Sequence, residues 1–337
     1  MAAEGEEVIS VWYIYRGEEG EIIPRDATHI LVDKDCTLVR AEAFYQHPNI
    51  IEVFCSMNVE KIEECAFYEC PSLRRVIMPG VQNIEVEAFY YCEALTDVEC
   101  DKLEIIGHGV FKECESLRSI NLPSIRIAEE YAFSRCEALS DVKFGSKLER
   151  IEGHAFFKCT SLERITIPLR DGIITADDTF QACENLLQVD LIDEGELHET
   201  IAALHLEEWR NELKEEIDSI NRILPTTNAG FYDDFSAWDD EGTSVKGQTA
   251  RAIRTWIRSV LGKIIDYQTE HNSILDDAAT TLQLALPNDI VMNNIVPLLD
   301  LPSHSFEVED EEDEDNQSSS EGEESEMEEE DSEEGDE

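Results

Sequence analysis

Residues 66–79, Ala-Phe-Tyr-Glu-Cys-Pro-Ser-Leu-Arg-Arg-Val-Ile-Met-Pro, form one copy of a unit whose phenylalanine returns at Phe44, Phe67, Phe89, Phe111, Phe133, Phe156 and Phe180. Steps of 22 to 24 residues are the period of stacked repeats. A small residue precedes each Phe (Ala43, Ala66, Ala88, Val110, Ala132, Ala155, Thr179), Cys follows three positions later in six copies, and Leu or Ile follows six later. Val or Ile at +9 and a hydrophobe at +11 have the period of two that marks a short strand with those side chains inward, while Ala-Phe-x-x-Cys-x-x-Leu fits a helical or tight turn. One strand and one turn cannot bury their apolar faces alone. Stacking buries them, and each copy then contacts only its neighbours.

With its copies, the 66–79 stretch resembles the BspA-type class of leucine-rich repeats over about residues 39–192. The repeats together with residues 198–302 resemble, more particularly, the intracellular leucine-rich repeat proteins expanded in diatoms. The resemblance implies an α/β fold: a curved leucine-rich repeat solenoid with a parallel sheet on its concave face. It implies no activity. The first copy departs from the pattern, with His47 in the Cys place and Ile50 in the Leu place, as a terminal repeat does.

Strands about 4.8 Å apart give a seven-copy sheet roughly 30 to 35 Å long. Positions +8 and +10 point out of its concave face: Glu52, Phe54, Arg75, Ile77, Asp97, Glu99, Ser119, Asn121, Asp141, Lys143, Arg164, Thr166, Gln188 and Asp190. These form the expected protein-binding face. Most are polar, and Phe54 and Ile77 are the large apolar exceptions. The run Val8–Tyr15 is expected to fold over them as a cap, with a peptide-binding patch as the alternative. Pro follows the strand in alternate copies (Pro79, Pro123, Pro168), which points to growth by doubling and ends the strand there.

The expected organisation is a capping segment at 1–35, the solenoid at 36–195, a helical hairpin or cap at 196–305, and a disordered acidic tail at 306–337. Residues 307–337 hold 20 Asp or Glu and no Lys or Arg, too little apolar surface to offset their ordering entropy. Of the formal charge of −51, that leaves −31 on the rest, so nucleic acid is excluded as a favoured partner and basic proteins are preferred. Leu206, Trp209, Leu213, Ile217, Ile220 and Leu224 define a helical face that ends at Pro225. A connector of more than 20 residues follows, and a second helical stripe runs from Ile253 to Leu286. The two helices are expected to pair, with Arg251, Arg254, Arg258 and Lys263 set against Glu207, Glu208, Glu212, Glu215 and Glu216, or to self-associate as a coiled coil through residues 199–286.

Leu286-Pro287-Asn288-Asp289-Ile290-Val291 and the leucines after it resemble the opening of an F-box, which implies a degenerate ubiquitin-ligase adaptor. In layout only, repeats followed by an acidic tail resemble the leucine-rich nuclear phosphoproteins that bind histones. Ser318, Ser320 and Ser325 each have Glu three residues on, the pattern of acidophilic kinase sites.

The N-terminus has neither a basic region nor a cleavage site, nothing approaches 18 uninterrupted apolar residues, and no Lys/Arg cluster reads as a nuclear import signal. The expectation is an intracellular, cytoplasmic protein. All ten Cys lie between Cys36 and Cys183, and Cys70, Cys92, Cys114, Cys136, Cys159 and Cys183 share one repeat position, as free buried thiols in a column would. There is no metal-ligand spacing, phosphate-cradling glycine loop, H-E-x-x-H or nucleophile elbow. No cofactor and no catalysis are expected, and the partner is a protein.

Overall fold

The computed structural model describes residues 10–192, 207–218, 248–287 and 290–295. The connector at 226–247, the acidic tail with its serines, and most of the F-box-like stretch lie outside the described residues.

The repeats wind as a solenoid with three walls. Long parallel strands make the first: β1 (Trp12–Tyr15), β2 (His29–Val32), β4 (Glu52–Phe54), β6 (Arg75–Ile77), β8 (Asp97–Glu99), β10 (Ser119–Leu122), β12 (Asp141–Phe144), β14 (Arg164–Ile167) and β15 (Gln188–Leu191). Two-residue strands make the second: β3 (Leu38–Val39), β5 (Lys61–Ile62), β7 (Asn83–Ile84), β9 (Ile105–Ile106), β11 (Ile127–Ala128) and β13 (Arg150–Ile151). The long-strand ladder is interrupted between β8 and β10, while the short-strand sheet runs unbroken from β3 to β13. Positions +9 face the interior throughout, as at Val53, Val76, Ile120, Val142 and Ile165.

The third wall is the Ala-Phe corner, a tight turn that becomes a 3-10 helix in the last copy, at Asp177–Phe180. Residues two before and two after the Phe adopt left-handed φ, for example Glu42 (54°), Gln46 (51°), Tyr131 (59°) and Arg135 (59°). Such conformations cost of order 1–3 kcal/mol for a non-glycine residue and persist only when the surroundings hold them. Backbone bonding holds them here. The Glu42, Phe44 and Gln46 N–H groups donate to the Glu64, Ala66 and Tyr68 carbonyls at 2.8–3.1 Å, and the pattern repeats from copy to copy. Where it ends, Asp178 Oδ1 accepts from the His154 N–H at 3.3 Å in place of a carbonyl.

Inside, the seven phenylalanines stack with centroids 4.7–5.5 Å apart and planes within 14°. Tyr15 closes the column on Phe44 at 5.1 Å. Full burial of such a side chain contributes roughly 1.5–3 kcal/mol. The cysteine column has a bonding role as well as a packing one. Each thiol donates to the carbonyl of the Phe one copy earlier, from Cys70 on Phe44 (3.1 Å) to Cys183 on Phe156 (2.9 Å). His47, in the Cys place of the first copy, does likewise. Its Nε2 lies 3.0 Å from the Pro24 carbonyl, which only accepts, so Nε2 carries the proton.

The run expected to fold over Phe54 and Ile77 instead extends the sheet at its edge, with Trp12–Tyr15 as strand β1. β1 pairs in parallel with β2, and β2 with β4, so the sheet begins before the first Phe-anchored copy.

At the other end, helix α1 (Glu207–Ile217) packs antiparallel on helix α2 (Gln248–Gln283). Trp209 stacks on Tyr267 at 5.0 Å, and at the opposite end Trp256 Nε1 donates to the Glu216 carbonyl at 2.8 Å. Glu216 also accepts from Ser259 Oγ (2.5 Å) and Lys263 (2.9 Å). Among the described residues, the expected charge pairing is seen at Lys263. Arg251 and Arg254 bind Asp177, and Arg258 binds both oxygens of the buried Asp171 at 3.0–3.1 Å. The reason is geometric. Steps of three and four put these three arginines on one stripe of α2, and that stripe faces the 3-10 turn Asp177–Phe180 of the last copy, whereas Trp256, Ser259, Lys263 and Tyr267 face α1. Ile253, Trp256, Ile257, Val260 and Ile264 are thereby buried within the chain. No helix among the described residues is long and apolar enough to cross a membrane.

Candidate functional site

On the outer face of the long-strand sheet, parallel register lines side chains into rows. One row runs Ile14, Leu31, Phe54, Ile77 and then Glu99. Beside it run Trp12, His29, Glu52, Arg75 and Asp97. Beyond the ladder break, Asn121, Lys143, Thr166 and Asp190 continue the first row, and Ser119, Asp141, Arg164 and Gln188 the second. None of the fourteen residues expected on this face is buried.

The two halves of the face differ. In the C-terminal half, and at its border, charges pair with one another: Arg75 with Glu99 (2.6 Å), Lys143 with Asp141 (3.4 Å) and Arg164 with Asp190 (2.8 Å). Exposed pairs of this kind contribute about 0–1 kcal/mol each. The N-terminal half is apolar and open, with Trp12 57%, Ile14 48% and Leu31 43% exposed. Trp12 stacks on His29 at 4.7 Å and on Phe54 at 5.7 Å, so it shields Phe54 without burying it. Sequence reasoning placed Phe54 and Ile77 here and missed Trp12, Ile14 and Leu31, because their strands follow no Phe corner.

A second feature is an open groove of about 600 Å³ at the last corners, lined by Glu130, Arg150, Glu152, His154 and Asp178 among others. His154 Nδ1 lies 3.4 Å from Asp178 and 3.9 Å from Glu130. Its one lining hydroxyl among the described residues, Thr175 Oγ1, donates to the Ile151 carbonyl at 3.1 Å. Among the described residues, no group of three or more His, Cys, Asp or Glu could hold a metal ion. All ten cysteines are free thiols. Burial pushes Cys55 and Cys100 up to about 12 and holds Cys114 and Cys136 well above the ordinary thiol value, the opposite of nucleophilic activation.

The parallel rungs, the Phe and Cys columns and the period all describe one repeat type. The repeats match the BspA-type family. The match to the BspA type leucine rich repeat region covers residues 37–128 and 104–201, in six copies. Among solved structures, the solenoid is similar to the leucine-rich repeat protein of T. pallidum, with 22% identity over 55% of this chain and 71% of that one and a TM-score of 0.33. It is also similar to a leucine-rich repeat protein from Bacteroides ovatus (21%, 50% and 62%, TM-score 0.27) and to an internalin of Listeria monocytogenes (9%, 50% and 62%, TM-score 0.27). This chain spans less than two thirds of the last two. At such identities and TM-scores these likenesses carry no argument about what the chain binds. Among curated proteins, none matches the chain.

Proposed function

We propose that this chain is a non-catalytic protein-interaction scaffold whose partner lies on the long-strand sheet, anchored at the apolar row. Leucine-rich repeat proteins generally act as such scaffolds, which supports the class. The observation that carries the reading is the in-register row Ile14, Leu31, Phe54 and Ile77, open to solvent beside paired charges that offer little competing attraction. Large exposed apolar patches mark interaction sites, and buried aromatic and aliphatic anchors dominate interface energies. The fourteen residues of the expected face then serve as the anchor (Phe54, Ile77) and its polar continuation.

The test compares partners captured by proximity labelling with the natural chain and with Leu31→Asp and Thr166→Asp. Leu31→Asp places an unpaired charge in the row and should remove the partner, while Thr166→Asp at the far end should retain it. A partner set indifferent to Leu31→Asp refutes the reading.

A second reading is supported by the −51 charge: a chaperone of basic proteins such as histones, acting through the tail. Deleting residues 307–337 should then abolish a salt-sensitive association with histones, and unchanged binding rules it out.

A further inference from the structure

The sheet of long strands has an edge at β1. Val11, just before the strand, and Tyr15 at its end bond toward β2: the Val11 carbonyl accepts from the Thr28 and His29 N–H groups at 2.9 and 3.0 Å, and the Tyr15 carbonyl from the Asp33 N–H at 2.8 Å. Successive residues of a strand turn their N–H and C=O to opposite sides, so Trp12 and Ile14 turn theirs away from β2. Arg16, next in that alternation, has the same direction, and its N–H reaches the Glu21 carboxylate at 3.0 and 3.1 Å outside the ladder. Among the described residues, nothing bonds to the N–H or C=O of Trp12 and Ile14 on that side.

Native sheet edges are blunted by Pro, by charged side chains, by bulges or by a covering element. The stretch Val11-Trp12-Tyr13-Ile14-Tyr15 has neither Pro nor a charge, and among the described residues Glu21 guards it at its C-terminal end alone. The interior beneath is closed, because Tyr15 is buried and covers Phe44. The edge is therefore offered without exposing the core. Trp12 and Ile14, whose backbones face outward at the edge, also carry the exposed side chains that begin the two rows of the sheet face. One short strand thus presents unpaired donors, unpaired acceptors and two large apolar groups together.

We propose that β1 takes up an extended segment of a partner protein as a further strand of this sheet, one with apolar residues at alternate positions and Lys or Arg between them. The backbones of Trp12 and Ile14 supply two donors and two acceptors in a line, which an extended chain meets together. A strand laid about 4.8 Å from β1 sets alternate side chains beside Trp12 and Ile14, and so continues the row of Ile14, Leu31, Phe54 and Ile77 by one position. Charge selects the basic residues. Glu18, Glu19 and Glu21 follow the strand, and the chain as a whole carries −51, which disfavours a second copy on the same edge. The inference rests on the scaffold reading and names the form of its partner, but it adds edge pairing that the sheet-face reading does not need, so the two can fail separately.

The experiment measures fluorescence anisotropy of a labelled Lys-Val-Lys-Val-Lys-Val-Lys peptide, and of the same sequence with every backbone amide nitrogen methylated, on the full chain, on Ile14→Pro and on Ile14→Val, with circular dichroism checking that each variant folds. Ile14→Pro removes an edge N–H that β2 does not use, and Ile14→Val keeps it. The unmethylated peptide should bind at least about tenfold more tightly than its methylated analogue, and Ile14→Pro should weaken it roughly fivefold while Ile14→Val stays within about twofold. Amide exchange at Trp12 and Ile14, fast in the free chain, should slow when the peptide is added. Equal binding of the two peptides, equal binding by Ile14→Pro, or exchange at Trp12 and Ile14 unchanged by bound peptide overturns the proposal and leaves only attraction to a polyanion. Amides of Trp12 and Ile14 already slow in the free chain put another strand on the edge, from this chain or from a second copy, and likewise overturn it. Partners lost from Leu31→Asp but kept by Ile14→Pro in proximity labelling overturn the edge and leave the sheet-face reading standing.

Discussion

Phe111→Ala should cut the column at its middle. Phe111 is fully buried between Phe89 and Phe133, at 5.5 and 5.4 Å. Its backbone stays in place, accepting from Cys136 Sγ at 3.0 Å and donating to the Ala132 carbonyl at 2.8 Å, so the side chain alone is removed. Truncation of a core Phe costs about 3–5 kcal/mol, and the upper half applies because two stacked pairs, worth about 0.5–1.5 kcal/mol each beyond burial, are lost together. For a folded unit of about 150–250 residues that is a fall of roughly 8–20 °C in Tm. Repeat stability is a sum of local and nearest-neighbour terms, so the damage should be local. Native-state hydrogen exchange should show protection falling most between residues 89 and 139 and least at β1 and β2. A loss below about 1 kcal/mol, or one spread evenly over all copies, would refute the neighbour-only column.

Acid should release the helices before it melts the solenoid. Hydrogen bonds from Ser259 and Lys263 hold Glu216 below its ordinary 4.5, and at Asp177 burial pushes upward while the bonds from Arg251 and Arg254 outweigh it, leaving it below 3.8. Groups depressed in the folded state stabilise above their ordinary values, and that contribution fades as pH falls through the folded values. Exchange in 207–217 and 248–283 should therefore rise below about pH 4.5 while the Phe column stays protected. Titration with a thiol reagent should find about one fast group in the native chain, Cys65, the only cysteine that is not buried, and ten after denaturation. Gly145→Ala would set a Cβ 2.0 Å from the Pro123 carbonyl oxygen and should cost at least about 1–3 kcal/mol by overpacking. Gly262→Ala, with nothing within 4 Å inside α2, should instead stabilise by up to about 1 kcal/mol in urea unfolding.

The repeat was legible because stacking forces chemistry to recur. Phe, Cys and the +9 residues must each meet their own kind one copy on, and the period writes that into the chain. The left-handed corner was not legible, since Glu42, Gln46, Glu69 and Arg135 adopt a backbone that their identities do not favour and the neighbouring copy imposes. The second sheet left only one buried small or aliphatic residue before each corner (Val39, Ile62, Ile84, Ile106, Ala128 and Ile151), too short a signal for a strand. Helix periodicity correctly grouped Arg251, Arg254 and Arg258, but it could not say whether α1 or Asp171 and Asp177 would receive them. On the sheet face, Phe54 and Ile77 marked the site, and Trp12 and Leu31 lacked the anchor that would have aligned them.

The corner wall gives the molecule a direction. Each backbone bond between copies there sends an N–H from one copy to a C=O of the next, so these peptide dipoles add along that wall and its two ends have opposite polarity. Whole copies can be inserted anywhere without disturbing that order, which suits growth by duplication. Inverting the stack, or joining two molecules through identical ends, would oppose donor to donor or acceptor to acceptor. Termination is accordingly asymmetric: the closing structure at the C-terminal end must offer acceptors, as the Asp178 carboxylate does toward His154, and one grafted from the N-terminal end would not fit.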